Sequence, residues 1–110
     1  MRTYELMWIL GSAADADVRQ ASLDAVSELI GRHGGETDRL EFWGRRTLAY
    51  PIRHNKEGSY LLAQFQMDPQ AAKEFERDLK LDQSIIRHLL IRLDEEELRA
   101  AEVATAETEG

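Results

Sequence analysis

The sequence predicts an α+β domain: a four-stranded antiparallel sheet with two helices on one face. Three observations carry this. Apolar residues recur at the spacing of two kinds of element, in the order strand, helix, strand, strand, helix, strand. Only a short polar link separates the two middle strands, which makes them a hairpin and therefore antiparallel. The chain has 110 residues, the length of one domain with a single two-layer core.

The first strand is TYELMWIL, residues 3–10, and Gly11-Ser12 ends it. Apolar residues on both its faces suit a central place in the sheet. Residues 15–35, DADVRQASLDAVSELIGRHGG, read as a helix. Asp15 or Asp17 caps its start, and Val18, Ser22, Ala25 and Leu29, with Val26 and Ile30 beside them, recur at helical spacing. Gly34-Gly35 stops it.

Residues 36–52, ETDRLEFWGRRTLAYPI, have no helical stripe. Leu40 and Phe42 alternate with charges, and Leu48, Tyr50 and Ile52 continue the same phase beyond Gly44. No bulge at the glycine is therefore required. Pro51 cannot donate to a ladder, so this is an edge strand or a strand end. RHNKEG is a polar loop and SYLLAQFQM, residues 59–67, the next strand. In DPQAAKEFERDLKLD, Asp68 caps a helix, Pro69 takes its first position, and Ala72, Phe75 and Leu79 form the buried stripe. SIIRHLLIRL, residues 84–93, is the last strand. The order is the split β-α-β, or ferredoxin-like, arrangement, with expected strand order 4-1-3-2 and the arginine-bearing second strand at an edge.

Phase then assigns faces. Leu61, Ala63, Phe65 and Met67 point to the helices, as do Leu6, Trp8 and Leu10, and in the last strand Leu89, Ile91 and Leu93. The open face carries Met7, Ile9, Tyr60, Leu62, His88 and Leu90, with Arg92 beside them. An uncovered apolar patch of this kind suits a protein partner.

The formal charge of -7 is unevenly placed. Residues 94–110 hold seven acids against Arg99, whereas residues 1–93 hold fourteen acids against thirteen bases. The chain therefore divides into a domain, residues 1–93, and an acidic C-terminal tail, residues 94–110, expected to be flexible. Within the nearly neutral domain, Arg45, Arg46, Arg53, His54 and Lys56 crowd one segment against Glu57 alone. Screening over roughly 8–10 Å lets such a patch bind phosphate despite a distant acidic tail.

Catalysis finds little support. There is no cysteine, and His33, His54 and His88 have no metal-ligand spacing. Neither a nucleophile elbow nor a phosphate loop occurs. No signal peptide or membrane span is legible, and the expectation is a soluble, intracellular protein without cofactor. The adjacent arginines are the stronger lead. Successive strand residues face opposite ways, so Arg45 and Arg46 cannot share a face. Taken alone, they read as charges that keep an edge strand from pairing with another edge. Arg87, Arg92, Tyr4 and Tyr60 on the other strands, Arg2 leading into the first and Tyr50 further along the same strand turn the reading toward RNA, whose phosphates suit guanidinium groups and whose bases stack on flat rings.

MRTYEL at the start, RLEFWGRRTLAYPI at 39–52 and IIRHLLIR at 85–92 resemble the bacterial small-subunit ribosomal protein S6 family, and the resemblance covers about residues 1–93. It implies the same β-α-β-β-α-β fold and a non-catalytic RNA-binding protein of the cytoplasmic ribosome. It further implies binding to the central domain of small-subunit ribosomal RNA as a heterodimer with ribosomal protein S18. Arg2, Tyr4, Arg45, Arg46, Tyr50, Arg87 and Arg92 match family segments. Arg53, His54 and Lys56 join them from the charge pattern. The resemblance does not divide these residues between RNA and partner. Two other readings keep the fold. An RNA-recognition-motif protein would read single strands, but offers Tyr60 and then Met7 and Gln64 where stacking rings belong. A small-molecule-binding or oxygenase-type domain would dimerise through its open face.

Overall fold

The structure, a computed structural model, describes residues 1–93; the acidic segment 94–110 lies outside the described residues. The elements are β1 (Arg2–Leu10), α1 (Ala16–Arg32), β2 (Glu36–Ile52), β3 (Asn55–Met67), α2 (Pro69–Leu79) and β4 (Ile85–Leu93). The sheet order is β2-β3-β1-β4, with every neighbouring pair antiparallel. This is the expected ferredoxin-like arrangement, with β2 at one edge.

The helices start and stop where local chemistry directs. Asp15 accepts a hydrogen bond from the Val18 amide at 2.9 Å, satisfying one of the free donors at the start of α1. At its end Gly34 has a φ of 77°, and the Gly35 amide returns to the Ile30 carbonyl at 2.9 Å. Asp68 caps α2 through the Gln70 amide at 3.1 Å, and Pro69 follows it without losing a helical hydrogen bond.

Both helices pack on one face of the sheet. Leu6, Trp8 and Leu10 of β1 and Leu61, Ala63, Phe65 and Met67 of β3 meet Val26 and Ile30 of α1 and Ala72, Phe75 and Leu79 of α2. The expected α1 stripe is narrower than its spacing suggested: Ser22, Val26 and Ile30 are buried, while Val18 and Ala25 are exposed. Ser22 has a specific task, because its hydroxyl accepts the Trp8 indole N–H at 2.9 Å inside the core. An indole buried without that partner would lose its hydration unrewarded.

Three local features depart from the expected phase. In β4 the faces are reversed. Leu6 pairs with Leu90 and Trp8 with His88, so Leu90 and His88 face the helices, as does Arg92 opposite Tyr4. Arg87, Leu89 and Ile91 lie on the open face opposite Ile9, Met7 and Glu5. The cause is a register shift: Ile9 pairs with Arg87 and Leu10 with Ile85, which leaves Ile86 as an extra residue. Ile85 is buried in the core, and counting alternate residues from it across the bulge gives the wrong face. Apolar residues on both phases of β4 offered no competing signal.

In β2, register shifts occur at Asp38, at Trp43 and again between Thr47 and Ile52. Leu40 and Phe42 pair with Ala63 and Leu61 on the helix side, whereas Arg46 pairs with Gly58 on the open side. The phase therefore does change near Gly44, whose φ is 116°. Finally, the expected RHNKEG loop is a two-residue turn. Arg53 and His54 have φ of 49° and 67°, and Ile52 pairs directly with Asn55. Positive φ at both central residues is the twist that a tight hairpin needs, although neither residue is glycine or asparagine.

Candidate nucleic-acid interface

The β2–β3 hairpin outgrows the sheet. β1 leaves its pairing with β3 at Leu10 and Ser59, while β2 and β3 go on pairing at Arg46–Gly58 and Thr47–Glu57 and, beyond an irregular stretch at residues 48–51, again at Ile52–Asn55. Residues 46–57 thus form a two-stranded arm beyond the end of β1. A free two-stranded ribbon is marginal in water, so this arm needs anchors.

Its anchors are polar at the base and apolar on the open face. Arg45 donates to the Ser12 carbonyl at 2.6 Å and pairs with Glu57 at 3.0 Å. The Asn55 side-chain oxygen accepts from the Ser12 amide and hydroxyl, both at 2.9 Å. The Asn55 amide nitrogen donates to the Ile52 and Arg53 carbonyls across the turn. On the open face Leu48 is buried, and Gly58 lies so close to Ile9 that a Cβ there would overlap its Cγ2. Further out, Arg87 of β4 donates to the Tyr50 hydroxyl, spanning from the far edge strand to the arm. Beneath that bridge runs a groove of about 290 Å³, whose walls include Met7, Ile9, Leu48, Ile52, Tyr60 and Leu89.

The sequence-derived candidates separate into groups. Arg46, Tyr50, Arg53, His54 and Lys56 are exposed on the arm, and Arg87 joins them through Tyr50. Among the described residues Arg46, Arg53, Lys56 and Arg87 have no acidic partner at ion-pair distance. Arg46 instead lies over the Tyr60 ring, 5.7 Å from its centre. Arg45 differs from all of these, since its guanidinium is occupied within the chain.

Three other candidates lie elsewhere. Tyr4 is a core residue, 7% exposed, with its ring stacked on Phe65 at 5.7 Å, so that ring is closed to a base. Its even position in β1, in phase with Leu6 and Trp8, was the available signal. Arg2 and Arg92 are exposed at the opposite end of the sheet, paired with Met67 and Tyr4. Arg92 is five residues from Arg87 along β4, roughly 17 Å at strand rise.

The expected partner face is corrected in the same way. Met7, Ile9, Tyr60 and Leu62 do lie on the open face. His88 and Leu90 do not: His88 bonds Glu76 of α2 at 3.0 Å, and Leu90 packs against the core. Their places are taken by Leu89, 61% exposed, and Ile91, 40% exposed. The open face therefore has an apolar middle and a cationic arm at one end. Among the described residues no three His, Asp or Glu side chains gather as a metal site requires. The arrangement suits binding: fixed cations for phosphate and an adjoining apolar surface.

Residues 3–92 match the family profile described as ribosomal protein S6. Small ribosomal subunit protein bS6 of Moorella thermoacetica is 36% identical over 96 residues, which span 87% of this chain and 98% of that protein. Its counterpart from Nocardioides sp. is 39% identical over 94 residues, 86% of this chain and 98% of that one. Among solved structures, the 30S ribosomal protein S6 of Thermotoga maritima is similar with a TM-score of 0.81 at 28% identity, covering 94% of this chain and 97% of that one.

Proposed function

The chain belongs to the ribosomal protein S6 family, a structural constituent of the small ribosomal subunit rather than an enzyme, and from that premise we propose that it binds the central domain of small-subunit ribosomal RNA as a heterodimer with ribosomal protein S18. Its place of work is the cytoplasmic ribosome. In this reading Arg46, Arg53 and Lys56 approach the RNA backbone, and the apolar middle of the open face meets the partner protein. The observation that carries it is the juxtaposition on one face: cations on the arm that have no acidic partner among the described residues, and exposed Leu89 and Ile91 beside Met7 on the sheet.

The charge balance sets a further expectation. With a net charge near -1 over residues 1–93, the protein alone has little general attraction for RNA. A small basic partner supplies the missing charge, and its complex with this protein binds tightly and loses affinity as salt rises. Filter binding to a three-way-junction fragment of the ribosomal RNA, with and without the partner, tests this. Tight retention only with the partner supports the proposal; no retention in either case overturns it.

Independent single-strand reading of the RNA-recognition-motif kind is less well supported. Across the middle of the open face Met7 pairs with Leu62 and Glu5 with Gln64, so no aromatic ring stands there for a base. Tyr60 is the aromatic residue of the central strands on that face, and Arg46 already lies over it.

A further inference from the structure

Ser12 directs all three of its polar groups at the arm. Its amide and hydroxyl donate to the Asn55 side-chain oxygen, and its carbonyl accepts from Arg45. Ser12 belongs to the short link between β1 and α1, which is tied to the body by the core residues Leu10 and Ala14 on either side of it. The arm, in contrast, has outrun its pairing with β1. The contacts are placed to fix its angle at two points. Arg45 holds the start of the arm on β2, and the same guanidinium ties across to Glu57 on β3. Asn55 holds the tip side, where its amide also braces the turn carbonyls of Ile52 and Arg53.

We infer that Ser12, Arg45 and Asn55 form the joint that aims the cationic arm, and that Arg45 is a positioning residue for RNA binding rather than an RNA contact. The inference rests on the proposed function for its consequence, but not for its geometry. Two of the five guanidinium N–H donors are spent on a carbonyl and a carboxylate, which fixes the fork toward Ser12 and Glu57. Asn55 carries no charge, so any influence it has on RNA affinity passes through the arm. Arg46, Arg53 and Lys56 are the residues that the joint places. Their binding energy depends on the arm arriving already set, because a swinging arm loses conformational freedom on binding.

The test compares Arg45→Ala, Arg45→Lys, Asn55→Ala and Arg46→Ala in the full chain, each first checked for folding by its unfolding transition. Two readouts are taken. The first is the affinity of the heterodimer for the three-way-junction RNA as a function of salt. Arg46→Ala should lower the salt slope by about one, as expected for a lost phosphate contact. Arg45→Ala and Asn55→Ala should each lower affinity roughly tenfold while leaving the slope unchanged. Arg45→Lys should not restore affinity, because one compact ammonium does not reproduce the fork that bridges the Ser12 carbonyl and Glu57. The second readout is the amide spectrum of the protein alone, in which Arg45→Ala and Asn55→Ala should shift residues 46–57 and leave α1 and α2 in place.

A lower salt slope for Arg45→Ala, or full rescue by lysine, would make Arg45 an RNA contact and overturn the inference. So would arm amides that stay unmoved in both variants. If the unmodified heterodimer retains no RNA, the proposed function fails by itself, and the amide spectra still decide whether the joint exists.

Discussion

Arg45 and Arg46 are neighbours in β2 that serve opposite sides of it. Arg45 reaches the Ser12 carbonyl at 2.6 Å, whereas Arg46 lies over the Tyr60 ring on the open face. Strand alternation forces the separation, and the register confirms it, since Arg45 pairs with Ser59 and Arg46 with Gly58. Arg45 is bonded within the fold, and Arg46 is the one of the two that we propose for RNA.

The first prediction follows from that division. Arg46→Ala should weaken assembly of the RNA complex by about 1–3 kcal/mol, the usual range for a charge-assisted contact taken out of water. Folding stability should stay within about 0.5 kcal/mol, because the side chain is exposed and has no acidic partner among the described residues. Filter binding and urea unfolding measure the two quantities. Unchanged RNA affinity would return Arg46 to the role of an edge charge.

The arm's turn supports a second prediction. Arg53 and His54 both have positive φ, a region that costs an L-residue about 1–2 kcal/mol. His54→Gly removes that cost at one position, while glycine brings a larger entropy loss on folding. The net expectation is a gain of about 0.5–1 kcal/mol and a rise of a few degrees in Tm. Calorimetry checks it. A loss of stability would mean that the His54 side chain makes a contact worth more than the strain.

How much of this was legible in the sequence varies with the range of the interaction. Element order, both helix starts, the hairpin and the opposition of Arg45 and Arg46 depend on spacing and on residues a few positions apart, and all are as expected. The face of β4 was not, because one extra residue at Ile86 inverts the phase beyond it. Apolar residues on both phases concealed the inversion. Nor was the role of Ser12 readable, since its partners are Arg45 and Asn55, 33 and 43 residues away. No local pattern marks a serine whose three polar groups meet one distant hairpin. Tyr4 was drawn into the candidate site by its flat ring and by the resemblance, although its phase with Leu6 and Trp8 placed it in the core.

The core hydrogen bond between Trp8 and Ser22 gives a third prediction. Ser22→Ala leaves the indole N–H buried with no acceptor and should cost about 1–3 kcal/mol. In a Trp8→Phe background the same change should cost much less, because the donor is already gone. Urea unfolding of the four proteins closes the cycle, with the m value expected to stay constant. Equal costs in both backgrounds would show that Ser22 acts through packing alone.

The reversed face of β4 gives the sharpest contrast, between two adjacent leucines. Leu89 is 61% exposed on the open face opposite Met7, and Leu90 packs on the core opposite Leu6. Leu90→Ala should destabilise the protein by about 2 kcal/mol, the low end for such a core truncation, because the side chain is only partly buried. Leu89→Ala should leave stability within about 0.5 kcal/mol, since little apolar surface returns to water. Their effects on the partner should be the reverse. Leu89→Ala removes apolar surface from the middle of the open face and should weaken heterodimer formation, whereas Leu90→Ala should weaken it only as far as the fold is lost. Denaturant unfolding and titration calorimetry with the partner separate the two. If instead Leu89→Ala unfolds the protein and Leu90→Ala does not, the pairing of Leu6 with Leu90 is wrong and β4 has the phase that simple alternation suggests.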